Sequence, residues 1–362
     1  MSAAGRHKIT GLQVLRAFAA LSVSFEHILW NAQALNPSAM WLKNLHDHFP
    51  WATGVDVFFV ISGFVIVYSS GALFGAPGAM SAFAIRRLAR VVPLYWLTTT
   101  LFLVISLTMA HQVNGTLGGL SYILASYLFI PSTRPDGIVQ PVFGLGWTLN
   151  YEMLFYLVFV FCLRWRRGYA VLAASAVLAL LTLVPHPAVT VLRFWGRPIV
   201  LEFCCGMLLA LAAGKIVLSD AARLALGFAA IMFLAVMPPA SGLPVHGGAA
   251  TALVAAATLG RRSHTPPGMV EQWIMRLGEA SYMLYLTHPF VMRAVALGFS
   301  HAHLHGYVVF YLLSCLVIAQ AAAVALHYGF ERRMNAAARR ILEALFSEMA
   351  RLWPMRQEKD AR

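Results

Sequence analysis

The sequence predicts an all-α integral membrane protein with about ten transmembrane helices, and composition and apolar patterning lead to this fold class. The chain of 362 residues is 60% hydrophobic, carries 11% charged residues and has a mean hydropathy of +0.71. Soluble domains carry about 25% charged residues. Ten apolar stretches approach the roughly 20 residues that a helix needs to cross a bilayer. A soluble globular protein is therefore excluded.

The ten stretches follow one another along the chain without an internal repeat. We expect residues 1–330 to form the membrane domain and residues 331–362 to form a basic amphipathic cytoplasmic tail, a helix on the membrane surface. The first stretch contains Arg16 and lacks a small-residue cleavage site, so we expect a retained helix rather than a signal peptide. The predicted spans are 12–30, 54–72, 91–110, 146–164, 168–185, 196–213, 223–239, 246–260, 279–299 and 306–328.

The lysines and arginines predict the orientation of these spans. With the N-terminus in the cytoplasm, most of the 27 basic residues fall in cytoplasmic loops or in the tail, as the positive-inside rule requires. An even number of spans then places the C-terminus in the cytoplasm as well. The net charge of +13 thus reflects topology and attraction to anionic lipid, and we expect no nucleic-acid partner.

Several ionisable side chains lie inside the predicted spans, where each is costly unless it has a partner or lines a polar cavity. Arg16 and His27 share one face of the first helix, because eleven residues make about three turns, or about 16 Å. Arg16 lies toward the cytoplasm. The topology places five groups from five helices in the outer third of the membrane: His27, Asp56, Glu152, Glu202 and Arg293.

We interpret these five groups as partners around a polar cavity. Two simpler interpretations compete with this one. Glu202 and Arg293 would form a structural ion pair, and Asp56 would be a helix N-cap or a residue at the outer membrane boundary.

The cysteines and clustered histidines do not indicate a metal site. All four cysteines lie in apolar segments without metal-ligand spacing, which is typical of small buried hydrophobic residues. The alternating histidines of 301–305 do not have the spacing of a zinc helix motif. We expect no metal and no permanently bound cofactor. The cysteines are Cys162, Cys204, Cys205 and Cys315.

Five motifs, in order along the chain, resemble the membrane-bound acyltransferase-3 family, which O-acylates bacterial polysaccharides and related acceptors. The first is the spacing of Arg16 and His27, an Arg followed by ten residues and a His. The similarity is greatest to the exopolysaccharide acetyltransferase branch. The other four motifs are GVDVFFVISGFVI (54–66), FAIRRLARVVPLYWL (83–97), GWTLNYEMLFY (146–156) and GEASYMLYLTHPFV (278–291).

The resemblance implies a multi-pass enzyme of the bacterial inner (plasma) membrane. Its acyl donor would be acetyl-CoA or another short acyl-CoA, and its acceptor a saccharide or lipid-linked oligosaccharide. Membrane lipid would be the remaining partner.

Acyl transfer to a hydroxyl needs a base for the proton and a cation or donor for the developing oxyanion. His27 is the expected base, because imidazole titrates near neutral pH. The resemblance makes Glu152 a functional position. A carboxylate, Glu152 or Asp56, would hold the second imidazole nitrogen, and Arg16 would position the thioester. We favour direct transfer, because no Cys or Ser lies clearly beside His27.

The CoA phosphates cannot enter hydrocarbon, so we expect them to dock at the cytoplasmic face on Arg86, Arg87 and Arg90. The guanidinium fork suits phosphate, and residues 86 and 90 share one helix face. The hypothesis is a conduit in which CoA stays inside and the acyl group passes Arg16 toward an acceptor outside.

Four further residues are candidates for supporting roles: Ser62, Glu202, His288 and Arg293. Ser62 and Gly63 would allow close helix packing, or Ser62 would line the conduit. His288 precedes Pro289 and would either bond a freed carbonyl or line the cavity.

Two other function classes compete with the acyltransferase. A transporter of a small polar solute would also carry intramembrane Arg, Glu and His, although the sequence lacks the repeats that are common in transporters. A non-catalytic scaffold of a polysaccharide assembly complex would not need His27.

Overall fold

The computed structural model describes residues 10–108, 118–185, 189–237, 243–260, 268–304 and 306–360, except for the side chains of 243–244 and 349–360. Within these ranges the regular secondary structure is helical, and the only β-structure is three isolated bridges in the connecting loops. The N-terminal basic residues, the 261–262 arginine pair and His305 lie outside the described residues, so the predictions that involve them are not addressed by the structure.

Fifteen α-helices are formed in the described residues. Single 3-10 turns at Trp51–Thr53, Gly144–Gly146 and Pro198–Val200 precede three of them, and a π-helical turn, His327–Glu331, lies between the last two. The helices are α1 Thr10–Leu35, α2 Met40–Asp47, α3 Gly54–Ser69, α4 Ala79–Thr108, α5 Leu120–Tyr127, α6 Trp147–Cys162, α7 Arg167–Leu183, α8 Thr190–Trp195, α9 Leu201–Ala212, α10 Asp220–Val236, α11 Leu243–Thr258, α12 Met269–Glu279, α13 Ser281–His301, α14 Val308–Leu326 and α15 Arg332–Asp360.

Each of the ten predicted stretches contains a helix of the structure, and the protein is an all-helical membrane protein. Five helical segments are long and apolar enough to cross a membrane: Thr10–Leu35, Trp51–Ser69, Ala79–Thr108, Gly144–Cys162 and Val308–Glu348. Three shorter segments are also apolar: Arg167–Leu183, Pro198–Ala212 and Val245–Thr258.

Two features of the helices differ from the predicted spans. α4 begins at Ala79 rather than near residue 91. Its first turns are helical but rich in arginine, so hydropathy alone does not predict them. Four helices have no counterpart among the predicted spans, because they are too short or too polar to form an apolar stretch; they are α2, α5, α8 and α12.

The chain divides into two compact units. The first contains Met1–Ser69 and Arg197–His327, and the second contains Ser70–Gly196 and Tyr328–Arg362. The first unit therefore holds α1–α3 and α9–α14, and the second holds α4–α8 and α15.

Glycines bring helix backbones together in the first unit. Gly63 of α3 faces the carbonyl of Phe203 on α9, and Gly206 of α9 faces the carbonyl of Val60 on α3. A Cβ at either glycine would overlap the opposing backbone, so the two helices cross at a distance that only glycine permits. The prediction that Gly63 allows close packing is confirmed. Gly278 approaches α1 at the backbone of Gln13 in the same way.

Aromatic rings hold the helices of the second unit together. The rings of Tyr151 on α6 and Phe194 on α8 stack with centroids 4.4 Å apart. The Tyr151 hydroxyl also donates a hydrogen bond of 2.8 Å to the Phe194 carbonyl. Tyr95 donates similarly to the Ser126 carbonyl at 3.0 Å. A buried tyrosine thus supplies apolar area and satisfies a backbone acceptor at once.

Candidate active site

A pair of imidazoles links α1 to α13 in the first unit. Nδ1 of His27 lies 2.9 Å from Nε2 of His288, and the rings stack at an interplanar angle of 15° with centroids 5.1 Å apart. His288 is fully buried and His27 is half-buried. In the described part of the chain, no residue is hydrogen-bonded to Nε2 of His27. The Nδ1 position that we expected a carboxylate to occupy is taken by His288.

The other nitrogen of His288 faces the backbone of its own helix. Nδ1 lies 3.0 Å from the carbonyl oxygen of Leu284, and the ring also lies against the carbonyl of Tyr285. Pro289 has no N–H, so the Tyr285 carbonyl loses its helical partner. Of the two roles considered for His288, the structure shows the contact with backbone carbonyls and adds the contact with His27.

Arg16 contacts α13, the helix that also holds the partner of His27. Its Nη2 donates a hydrogen bond of 2.9 Å to Oγ of Ser281, a buried residue at the start of α13. Arg16 and His27 meet Ser281 and His288 in the same chain order, so α1 and α13 run parallel. The α1 groups are eleven positions apart, which is about 16 Å along a helix, and their partners are seven positions apart, which is about 10 Å. The long arginine side chain covers the difference. The predicted topology requires this relative direction.

A second polar cluster joins α3, α9 and α11 in the first unit. The Asp56 and Glu202 carboxyl groups lie close enough for their charges to interact, and the His246 imidazole lies nearby. Neither carboxyl oxygen of Glu202 forms a hydrogen bond with a described residue. His246 Nδ1 is 2.8 Å from the Thr53 hydroxyl. Glu202 is only 1% exposed. Two neighbouring carboxyl groups repel each other when both are ionised, so this pair disfavours a double negative charge.

Among the described residues, neither the expected Glu202–Arg293 ion pair nor the expected Asp56 helix cap is formed. Glu202 faces Asp56 rather than Arg293, because the glycine crossing of α3 and α9 fixes which helix lies beside Glu202. Arg293 is exposed on α13. Asp56 lies in the first turn of α3 and not at the N-cap.

Glu152 belongs to a charged cluster in the second unit. It accepts a hydrogen bond from the hydroxyl of Tyr156, one turn further along α6. The Arg87 guanidinium on α4 lies over the rings of Phe83 and Tyr156, at 5.5 and 5.8 Å from their centroids. Glu152 is close enough to Arg87 for their charges to interact. Cation, carboxylate and phenol thus form one group between α4 and α6.

The remaining predicted arginines of α4 have different surroundings. Arg86 is half-buried and its Nε donates a 2.9 Å hydrogen bond to the Ala82 carbonyl. Arg90 is exposed. Arg86 and Arg90 share a helix face, whereas Arg87 is directed to the α6 cluster. Ser62 is half-buried on α3.

The sequence did not indicate four residues that contact the candidate site residues: Thr53, Tyr156, His246 and Ser281. Tyr156 and Ser281 lie inside the quoted motifs but carry no charge to mark them. His246 was an imidazole at the edge of an apolar stretch, the same signal that identified His27.

The described cysteines and acidic residues form no metal centre. Cys162, Cys204 and Cys315 are buried, Cys205 is partly buried, and all four are free thiols. Among the residues that the structure describes, no three His, Cys, Asp or Glu side chains are placed to hold a metal ion.

Comparison with known families decides the enzyme class. A family model described as an acyltransferase domain matches residues 9–324, which include all five motifs and both polar clusters of the first unit. The chain belongs to the acyltransferase-3 family. It is a membrane O-acyltransferase, and the resemblance inferred from the motifs is confirmed.

Three curated relatives are similar to the chain. It is 32% identical over 270 residues to the exopolysaccharide production protein ExoZ of Rhizobium meliloti (strain 1021), covering 70% of this chain and 80% of the relative. It is 27% identical over 319 residues to the acyltransferase MdmB of Streptomyces mycarofaciens, covering 79% of each. It is 30% identical over 197 residues to nodulation protein 10 of Rhizobium leguminosarum bv. viciae, about half of each chain. No solved structure matches the chain.

Proposed function

We propose that this acyltransferase moves an acetyl or other short acyl group from cytoplasmic acyl-CoA to a saccharide hydroxyl at the outer face of a bacterial inner membrane. Membership of the family supports the reaction. The similarity to a protein named for exopolysaccharide production, over most of that relative's length, supports a surface-polysaccharide acceptor.

The observation that carries this proposal is the imidazole of His27. Its Nδ1 is bonded to His288, while no described residue is bonded to its Nε2, which can therefore meet a substrate. Nε2 takes the proton of the acceptor hydroxyl as the oxygen attacks the acyl carbon. The carbon–sulfur bond breaks, and the same nitrogen returns the proton to the CoA thiolate. The transfer is direct, without an acyl-enzyme.

Arg16 supplies the positive charge of this chemistry. The contact with Ser281 holds its guanidinium on α13, and a fixed cation stabilises the oxyanion that develops on the thioester. Arg16 also contributes to donor binding by holding the carbonyl of the acyl group.

The donor's phosphates bind the arginines of α4. Arg90 is exposed and Arg86 half-buried, so both are accessible to an anion, and planar guanidinium groups bind phosphate through two oxygens. Arg87 is stacked on aromatic rings and adds fixed positive charge. Glu152 assists by holding Arg87 and Tyr156 in place.

The ten helices that coincide with the predicted stretches cross the membrane, with both termini in the cytoplasm. α15 then lies on the inner membrane surface. Its exposed residues include four arginines (Arg332, Arg333, Arg339 and Arg340) and two apolar side chains, Ile341 and Leu345. Such a helix places apolar groups among acyl chains and arginines among anionic headgroups.

The test uses purified protein in lipid nanodiscs with isotope-labelled acetyl-CoA and deacylated surface saccharide. Free thiol and acetylated saccharide are measured together, the second by mass spectrometry. We expect both products in equal amounts, and we expect His27→Ala to reduce their formation by about 100-fold or more. His301→Ala is the matched control, because His301 is exposed at the end of α13.

Full activity in His27→Ala would overturn the proposed base. An intact acetyl-CoA pool in the presence of acceptor would overturn the proposed reaction and favour the transporter.

A further inference from the structure

The hydrogen bonds of the imidazole pair determine where its protons lie. The Leu284 carbonyl can only accept a hydrogen bond, and it lies 3.0 Å from Nδ1 of His288. Nδ1 of His288 must therefore carry a proton. Among the described residues, the groups against the ring are His27, the Leu284 and Tyr285 carbonyls and the Tyr285 ring. None of them carries a negative charge, and a fully buried imidazolium without one is strongly disfavoured. His288 is therefore neutral, and its Nε2 holds a lone pair.

The tautomer of His27 follows from that of His288. Nε2 of His288 accepts, so the proton of the 2.9 Å bond belongs to Nδ1 of His27. A neutral imidazole carries only one proton. Nε2 of His27 is consequently unprotonated, which is the state that a general base requires.

We propose that His288 is a positioning residue that fixes the tautomer and ring orientation of His27. It performs with a neutral imidazole the task that a carboxylate performs in the serine-hydrolase triad. This inference rests on the proposed function, because it takes His27 as the base.

The proline at position 289 makes this arrangement possible within a helix. A backbone carbonyl in a regular helix already accepts an N–H four residues further on. Pro289 leaves the Tyr285 carbonyl without that donor, and the His288 ring turns toward this carbonyl and that of Leu284. The chain of contacts runs from the α13 backbone through His288 to His27, and it contains no ionised group.

A neutral orienting group suits a site inside a membrane domain. A carboxylate beside His27 would have to be desolvated in every step of the cycle, at a cost of several kcal/mol. The imidazole carries no charge, yet its lone pair still accepts from Nδ1–H when His27 becomes positive after taking the acceptor's proton.

Three substitutions at position 288 distinguish positioning from simple packing. In His288→Gln the amide oxygen reaches the place of Nε2 and can accept from His27. In His288→Asn the shorter amide corresponds to Nδ1, so the backbone contact survives and the contact with His27 is lost. His288→Leu fills the space without an acceptor. Each variant is purified as the full chain in nanodiscs, and its folded fraction is measured by thermal unfolding.

We expect His288→Asn and His288→Leu to lower kcat by about 100-fold with the KM for acetyl-CoA unchanged, since the donor site is intact. We expect His288→Gln to stay within about tenfold of the parent. A second measurement, ¹⁵N NMR of labelled imidazoles, should assign a protonated Nδ1 to His27 in the parent protein and a mixture of tautomers in His288→Leu.

The outcomes separate this inference from the proposed function. If His27→Ala is inactive and folded His288→Leu retains the parental kcat, the positioning role is wrong while the base survives. If His27→Ala is fully active, the base assignment fails and the positioning role fails with it. A loss of kcat in all three variants that follows only their folded fraction would show a packing role and overturn the inference.

Discussion

The two units of the molecule solve the same problem, the burial of polar groups among apolar helices, in different ways. In the first unit, glycines bring backbones into contact. The polar groups among its helices include the imidazole pair His27–His288, the carboxyl pair Asp56–Glu202 and the cation Arg16, which donates to a serine hydroxyl. In the second unit, aromatic rings separate the helices and surround a cation, Arg87, with a carboxylate near it.

The difference teaches that glycine crossings and aromatic packing leave different spaces for polar groups between helices. A glycine crossing leaves no room for a side chain between the two backbones. Rings leave space for a guanidinium and supply electron-rich faces that stabilise it.

The largest expected effect tests the glycine crossing. Gly63→Ala places a Cβ against the Phe203 carbonyl, so α3 and α9 must move apart, and we expect the free energy of unfolding to fall by about 3 kcal/mol. Thermal or detergent unfolding measures it. Gly227→Ala is the matched control, since its Cβ would lie an ordinary 3.8 Å from Ala256; it should cost nothing or stabilise by up to about 1 kcal/mol. Equal effects at the two glycines would contradict the crossing.

The charged cluster of the second unit should show coupling. Glu152→Gln removes the negative charge beside Arg87 and should cost about 2 kcal/mol of unfolding free energy, less than a fully buried pair because both groups are half-buried. In Arg87→Met the same Glu152 change should cost much less, and the double-mutant cycle reports the difference as an interaction energy. Additive effects would mean that Glu152 does not act through Arg87.

A smaller loss is expected where a tyrosine of the second unit satisfies a backbone carbonyl. Tyr151→Phe keeps the stacked ring but leaves the Phe194 carbonyl without its buried donor, which should cost about 1–2 kcal/mol. Tyr169→Phe, at an exposed position on α7, is the control and should leave the unfolding temperature unchanged. Equal stability of the two variants would show that the Tyr151 hydroxyl bond does not stabilise the unit.

The smallest effect should come from the carboxyl pair of the first unit. Glu202→Gln keeps the shape of the side chain and replaces one of two neighbouring carboxyl groups with a neutral amide, so stability should change by less than about 1 kcal/mol and in either direction. A large loss would instead indicate a cationic partner, as the ion pair with Arg293 required. Comparison with Glu152→Gln under the same conditions shows whether the two units differ as described.

Much of the fold and part of the candidate site followed from the sequence. Ten of the helices were predicted, because long apolar stretches and separating prolines are local signals. α12 was missed because it is too polar to form an apolar stretch. His27, Arg16 and the α4 arginines were identified by charge in apolar context and by motif spacing. Ser281 and Tyr156 were not singled out, because an uncharged hydroxyl inside a motif does not distinguish itself from its neighbours.

The sequence by itself determined ten of the helical segments, the polar groups within them, and the family to which the chain belongs, because hydropathy and motif spacing are properties of short stretches. Only the tertiary structure decided the partners: His27 meets a residue 261 positions away, and Glu202 faces a carboxyl rather than an arginine. The physical reason is that a partner depends on which helices cross and how closely. Those crossings are set by backbone contacts at glycines, which hydropathy does not encode.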